Sequence, residues 1–269
     1  MWNLCWNCYN KRGSRTEPGL LLSRGKGTYN MGALSNQVAV VTGAGSGIGK
    51  AIAGALAAQG ATVCLVGRTV EKLESTAKML SGTHAAFPTD LSQDSQIEAF
   101  VAELQRRYPQ IDVLVMCAGE IAHGLVQDSP VAVLDKLFRA NVHGNYLLIQ
   151  KLLPALRQCR GQIVIINSSA GLNARPNVGQ YSATKHALKA ITDALRGEVN
   201  ELGIRVLSVY AGRTATPLME SIYKKDAKDY KPELLLQPED IASVVLNALT
   251  LPRTAEVTDI SIRPMRKSY

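Results

Sequence analysis

The stretch from Gln37 to Gly60 constrains this chain more than any other. Gln37-Val38-Ala39-Val40-Val41 is a short branched apolar run, the kind that fills a strand buried on both faces. It leads directly into Thr42-Gly43-Ala44-Gly45-Ser46-Gly47-Ile48-Gly49. Lys50 to Gln59 then reads as an alanine-rich helix, with Gly60 as its left-handed stop. Strand, glycine loop and helix bring backbone N–H groups and a helix N-terminus together, which suits a pyrophosphate. Glycine is needed where a Cβ would block the turn or the approach of phosphates. The spacing is Gly43-x-x-x-Gly47-x-Gly49, so the Gly-x-Gly-x-x-Gly template fails as written, and no Gly-Lys-Ser/Thr closes the loop as a P-loop would.

The next strand, Ala61 to Val66, runs into Gly67-Arg68-Thr69. An NAD site usually has an acid there to accept from the ribose 2′-hydroxyl. Here an arginine stands instead, and a guanidinium can clamp a 2′-phosphate that a carboxylate would repel. NADP(H) is therefore expected over NAD(H). Further on, Tyr181-Ser182-Ala183-Thr184-Lys185 places a phenol and an ammonium on one helix face, with Ser168 upstream. A fixed cation favours phenolate, so Lys185 is expected to lower the Tyr181 pKa and make it a proton donor and acceptor near neutral pH. A serine hydroxyl nearby can hold a substrate oxygen. Such a set moves a proton on or off an alcohol or carbonyl oxygen.

Strand-like runs occur at 37–41, 61–66, 84–87, 111–116, 162–167, 204–210 and 256–263, with helical patterns between them. The fold class expected is α/β: a single Rossmann-like doubly wound parallel sheet flanked by helices on both faces. The chain's 269 residues, 46% of them hydrophobic, suffice for one such domain, assigned to 34–269. Residues 1–33 read as a disordered basic leader with little periodicity. Lys11, Arg12, Arg15, Arg24 and Lys26 stand there against Glu17, half of the net charge of +8. The mild excess elsewhere is no nucleic-acid stripe. Met31-Gly32-Ala33 looks like a natural start, and an organelle transit peptide is an alternative for the leader. No run approaches the roughly 18 apolar residues of a membrane span.

Cys5, Cys8, Cys64, Cys117 and Cys159 are odd in number and form no compact framework, which points to reduced thiols in a cytoplasmic protein. Cys64 and Cys117 are expected in buried strands. Cys5-Trp6-Asn7-Cys8 has no second ligand pair, and His84, His123, His143 and His186 are scattered, so no metal site is expected.

With the glycine loop, Ser168, Tyr181 and Lys185 in this order, the sequence resembles the short-chain dehydrogenase/reductase family over about residues 34–266. Thr89-Asp90-Leu91 resembles the element after the third strand, implying that Asp90 contacts adenine. Met116-Cys117-Ala118-Gly119 resembles the family's Asn-Asn-Ala-Gly, with both asparagines replaced. Ala211-Gly212-Arg213-Thr214-Ala215-Thr216 resembles the loop along the nicotinamide, with Ala211 for proline and so a less restrained backbone. The cofactor site implied takes in Gly43, Ser46, Gly47, Ile48, Gly49, Arg68, Asp90, Leu91, Ala118, Gly119, Tyr181, Lys185, Gly212, Thr214 and Thr216.

The catalytic set implied is Asn141, Ser168, Tyr181 and Lys185. Tyr181 protonates the alkoxide formed by hydride transfer, Ser168 binds the carbonyl oxygen, Lys185 binds the nicotinamide ribose, and Asn141 holds a water linking Lys185 to solvent. Residues 215–236 are the expected lid, whose lysines, with Arg175 and Arg213 near the mouth, suit an acidic substrate or an ordinary solvated surface. The tail Asp259 to Pro264 is similar to that of members acting on small hydroxy acids. Partners implied are a small carbonyl or alcohol substrate and further copies of the chain, as a homo-tetramer or homo-dimer built from helices around 131–157 and 181–202. A non-catalytic cofactor-binding regulator, or an epimerase or dehydratase, stays open beside the oxidoreductase.

Overall fold

The computed structural model describes residues 32–266. Cys5, Cys8 and all but the end of the expected leader lie outside the described residues. Seven strands form one parallel sheet: β1 (Val38–Thr42), β2 (Thr62–Gly67), β3 (His84–Pro88), β4 (Val113–Met116), β5 (Gln162–Ser168), β6 (Arg205–Ala211) and β7 (Asp259–Ile262). Their order is β3-β2-β1-β4-β5-β6-β7. The direction of winding reverses between β1 and β4, where an open parallel sheet leaves a crevice at its carboxyl edge.

The strand sequences are apolar on both faces, and the structure uses both. Ala39, Val41, Val63, Leu65, Val113, Val115, Val164 and Val209 pack one way. They meet Ile52 and Leu56 of helix α1 (Gly47–Ala58) and Ile241 and Val245 of helix α8 (Pro238–Thr250). Val40, Cys64, Leu114, Met116, Ile163 and Ile165 pack the other way. There they meet α3 (Asp94–Arg107), α5 (Gly144–Gln158) and α6 (Gly179–Val199). The alternation is the period of two that a doubly covered sheet requires. The remaining helices are α2 (Val70–Ala77), α4 (Val131–Phe138) and α7 (Pro217–Lys225).

Two elements depart from the sequence reading. The helix expected across 131–157 is broken into α4 and α5 by a π-helical turn, Arg139–His143, which carries Asn141. The seventh strand begins only at Asp259, because Glu256 bonds through its side chain rather than along a ladder. Its carboxylate accepts from Val206 N–H at 2.9 Å and from Asn200 Nδ2 at 3.0 Å. Cys64 is buried in β2, but Cys117 lies one residue beyond β4 and is partly exposed. The described cysteines, Cys64, Cys117 and Cys159, are free thiols. Among the described residues no helix is long and apolar enough to cross a membrane.

The crevice is held by one hydroxyl. Thr42, fully buried at the end of β1, accepts from the N–H groups of Cys117 and Ala118, each at 3.0 Å. These bonds fix the chain leaving β4 at Cys117 and Ala118. Thr42→Val keeps the shape and removes the acceptor. It is expected to cost about 1–3 kcal/mol in urea unfolding, the penalty of leaving buried donors unpaired; an unchanged midpoint would contradict this account.

Candidate active site

The glycine loop leaves β1 with backbone that side chains resist. Gly43 has φ of 66° and Gly47 of 51°. A Cβ on Gly43 would stand 3.0 Å from Ala118 N, and one on Gly47 would stand 2.8 Å from Thr216 Cγ2. Ser46 is the N-cap of α1 but makes no side-chain cap bond, and the first turn of α1 carries no acid. The positive end of the helix dipole therefore faces the loop without an opposing carboxylate on its own first turn.

Beside the loop is a cavity of about 510 Å³. Gly43, Ser46, Gly47 and Ile48 line it from the loop, and Arg68, Asp90 and Leu91 from the ends of β2 and β3. Ala118, Gly119 and Thr216 line it as well. Gly49 does not. It packs behind the loop, where a Cβ would lie 2.4 Å from Gly43 O. This cradle, closed to a Cβ and backed by an uncapped helix start, fits the phosphates of a dinucleotide.

A second cavity, of about 300 Å³, shares Ile48, Cys117, Gly119, Glu120 and Thr216 with the first, so the two adjoin. Ser168, Tyr181, Lys185, Gly212 and Thr214 line it. Ser168 ends β5 and Tyr181 lies in the first turn of α6, so both hydroxyl-bearing residues face one cavity, where Ser168 Oγ accepts from Ala170 N–H at 3.1 Å. Gly212 is not loose despite Ala211: its N–H donates to Ile262 O at 2.8 Å, continuing the β6–β7 ladder.

Lys185 is 6% exposed. Its Nζ donates to Ile166 O at 3.1 Å and stands 5.8 Å from the centre of the Tyr181 ring. Burial pulls its pKa from 10.5 down to about 8. Burial likewise pushes the Tyr181 phenol above its ordinary value; the nearby Ser168 hydroxyl acts against this and Cys117 adds to it. The net shift of Tyr181 is thus upward where a downward one was expected, and Lys185 is not among its causes. Desolvation disfavours the charged form of each group, and the ammonium is aimed at a carbonyl rather than the phenol oxygen.

Asn141 lines neither cavity. It is fully buried, and both its amide hydrogens are spent, on Glu120 O at 2.8 Å and Thr184 Oγ1 at 3.1 Å. Its Oδ1 accepts from Glu120 N–H at 2.7 Å. Thr184 in turn donates to Tyr181 O at 2.7 Å. Asn141 thereby ties the loop after β4 to the helix bearing Tyr181 and Lys185. Asn167 does the same from β5, donating to Lys185 O at 3.1 Å and accepting from Ser168 N–H at 2.7 Å.

Arg68, expected to face a phosphate, lies against Glu120: Nη1 to Oε1 is 2.5 Å. Lys136 takes the other oxygen at 2.9 Å. Burial works to raise the Glu120 carboxyl, but hydrogen bonds and charge from Lys136 and Arg68 outweigh it and hold it below the usual range. Sequence reasoning missed Glu120. Its signal was available, as an acid directly after Gly119 at the carboxyl end of a parallel strand. Asp90 lines the larger cavity while one carboxylate oxygen accepts from Ser92 N–H at 2.9 Å and Ser92 Oγ at 2.8 Å.

In the expected lid, α7 supplies Leu218, Met219 and Ile222 to the smaller cavity. Asp226 latches its end to the loop after β4, meeting His123 Nδ1 at 3.1 Å and Lys228 Nζ at 3.2 Å. Lys231 pairs with Asp229 at 3.1 Å. Two of the lid lysines are thus answered by neighbouring acids, while Arg175 and Arg213 do line the cavity. Among the described residues no cluster of His, Cys, Asp and Glu is placed to hold a metal.

A family model described as short chain dehydrogenase matches residues 37–227. An uncharacterized oxidoreductase of Staphylococcus aureus (strain USA300) is 35% identical over 237 residues, covering 87% of this chain and all of the relative. A metagenomic short-chain oxidoreductase solved in complex with NADP superposes with a TM-score of 0.76 at 31% identity, over 87% of this chain and 100% of the other. An alcohol dehydrogenase of Thermococcus sibiricus, solved with 5-hydroxy-NADP, gives 0.76 at 27% identity, over 87% and 99%. Levodione reductase gives 0.77 at 26% identity, over 86% and 97%.

The buried lysine has a measurable consequence. Between about pH 8 and 10.5 the unfolded chain holds a proton that folded Lys185 has released, so stability rises with pH in that window. Below it both states are protonated and burying the charge costs on the order of 3 kcal/mol, at about 1.4 kcal/mol per pH unit. Lys185→Met is expected to be at least as stable as wild type at pH 7, with wild type catching up toward pH 10. A variant clearly weaker in urea at pH 7, or a pH-independent gap, would contradict the burial cost.

Proposed function

The chain belongs to the short-chain dehydrogenase/reductase family, and within it we propose an NADP(H)-dependent oxidoreductase that interconverts a carbonyl and a secondary alcohol. One observation carries the reading: Ser168 and Tyr181, beside buried Lys185, line one cavity that adjoins the glycine-loop cavity. Gly43, Ser46, Gly47 and Ile48 would hold the pyrophosphate, Arg68 the 2′-phosphate, Asp90 and Leu91 the adenine end, and Gly212, Thr214 and Thr216 the nicotinamide end. The NADP complexes of similar structures support the choice of cofactor.

When bound, the reduced cofactor supplies hydride to the carbonyl carbon. Ser168 donates to the carbonyl oxygen and holds it against Tyr181. The phenol gives its proton to that oxygen as negative charge grows there. Lys185 sits beside the phenol and would bind the ribose hydroxyls of the cofactor, and Asn141 positions the helix that carries both. In the reverse direction phenolate removes the alcohol proton. Burial keeps Tyr181 protonated well beyond neutral pH, which supplies the acid needed for carbonyl reduction.

The domain is assigned to 34–269. A homo-oligomer is proposed through α5 and α6, since Phe138 and Tyr146 on the α4–α5 segment are 36% and 48% exposed. Light scattering is expected to give the mass of two or four chains; a monomer overturns this assembly.

Ketones, aldehydes and keto acids assayed with NADPH and NADH in parallel should give substrate-dependent cofactor oxidation, faster with NADPH at low cofactor. Tyr181→Phe should lose about 10²–10⁴-fold in turnover, the span of a general acid, while NADPH binds nearly as before. Wild-type rates in that variant would refute the assignment, and conversion without net redox change would point to an epimerase.

A further inference from the structure

We infer that Glu120 is a specificity-determining residue that restrains Arg68 and weakens recognition of a 2′-phosphate. The inference rests on the proposal that Arg68 recognises that phosphate. Glu120 is the fixed member of the cluster. Its N–H donates to Asn141 Oδ1 at 2.7 Å, and its C=O accepts from Asn141 Nδ2 at 2.8 Å. Its side chain is 19% exposed, against 59% for Arg68 and 71% for Lys136. Two long, solvated cations are drawn to one anchored carboxylate, one on each oxygen.

Arg68 leaves the end of β2 and Glu120 follows β4, with β1 and its glycine loop between those strands. The ion pair therefore spans the carboxyl edge at the place where the sheet order reverses. Both residues line the larger cavity. A 2′-phosphate reaching Arg68 must share the guanidinium with Glu120 or displace it. It also meets a carboxylate of its own sign, which Coulomb's law makes unfavourable whatever the geometry of sharing. Lys136 offsets part of that repulsion. An acid excluded from the end of β2 by Arg68 is thus supplied from the loop after β4. It acts on the phosphate through the arginine rather than by replacing it.

The test is calorimetric binding of adenosine 2′,5′-bisphosphate and of ADP to the whole protein, without turnover. Glu120→Gln keeps the backbone bonds to Asn141 and removes the charge. It should tighten the bisphosphate about three- to ten-fold at low salt and move ADP less than about two-fold; the gain should shrink near 1 M salt, where the Debye length is about 3 Å. Lys136→Met should shift the bisphosphate the opposite way. Arg68→Ala should weaken the bisphosphate selectively and remove most of the gain from Glu120→Gln. If Arg68→Ala weakens both ligands alike, the NADP reading itself fails. If Arg68→Ala is selective but Glu120→Gln leaves the bisphosphate unchanged or weaker, the inference fails alone. Unchanged melting temperatures check that each variant is folded.

Discussion

Seven parallel strands deliver all their carboxyl ends to one edge, and every functional feature of this chain follows from that edge being split between β1 and β4. A parallel sheet needs both faces covered, so the helices take up the flanks and only the edge remains open. At the reversal the chain leaves β1 toward α1 and leaves β4 toward α4, and the gap between them has no backbone of its own to fill it. Thr42 keeps the gap at fixed width by pairing with two amides of the opposite loop. The glycine loop can then be shaped for phosphate without the two strand ends closing over it.

Tyr181 and Lys185 are governed by burial more than by mutual attraction. Lys185 is held by a carbonyl with no carboxylate beside it to stabilise the ammonium, and burial likewise disfavours the Tyr181 phenolate. Such groups are costly to the folded state and are retained only when surrounding bonds fix them. Thr184 and Asn167 provide that fixing through the backbone carbonyls of Tyr181 and Lys185, and Asn141 ties Thr184 to the peptide of Glu120. The π-helical turn belongs to the same scheme. It turns Asn141 inward from the junction of α4 and α5, where an unbroken helix would place its residues at a different angular spacing.

Charge is handled differently at the other end of the crevice. There Glu120, Arg68 and Lys136 are partly solvated, and two cations share one carboxylate. Pairing of this kind contributes little to stability but sets what a bound anion must displace. The two ends are joined through a single residue, since Asn141 anchors the peptide of Glu120 as well as Thr184.

How much of this was legible beforehand depended on range. Strands and helices near the site were readable because their signals are local: branched runs fill the sheet, and Gly60 and Gly203, at φ of 84° and 75°, end helices as their sequence places suggest. Ser168 at a strand end and Tyr181 with Lys185 one turn apart were equally readable, because periodicity alone places them. The sign of the tyrosine shift was not, since desolvation depends on which atoms the fold packs around the phenol. Nor was the Arg68–Glu120 pair, whose members stand 52 residues apart and meet only because β1 separates their strands by a single place in the sheet. The sequence by itself determined the sheet, the glycine loop and the shared helix face of Tyr181 and Lys185. Tertiary structure alone decided which charges are buried, which are paired and which strand ends face each other, because those depend on distances between segments that no local pattern encodes.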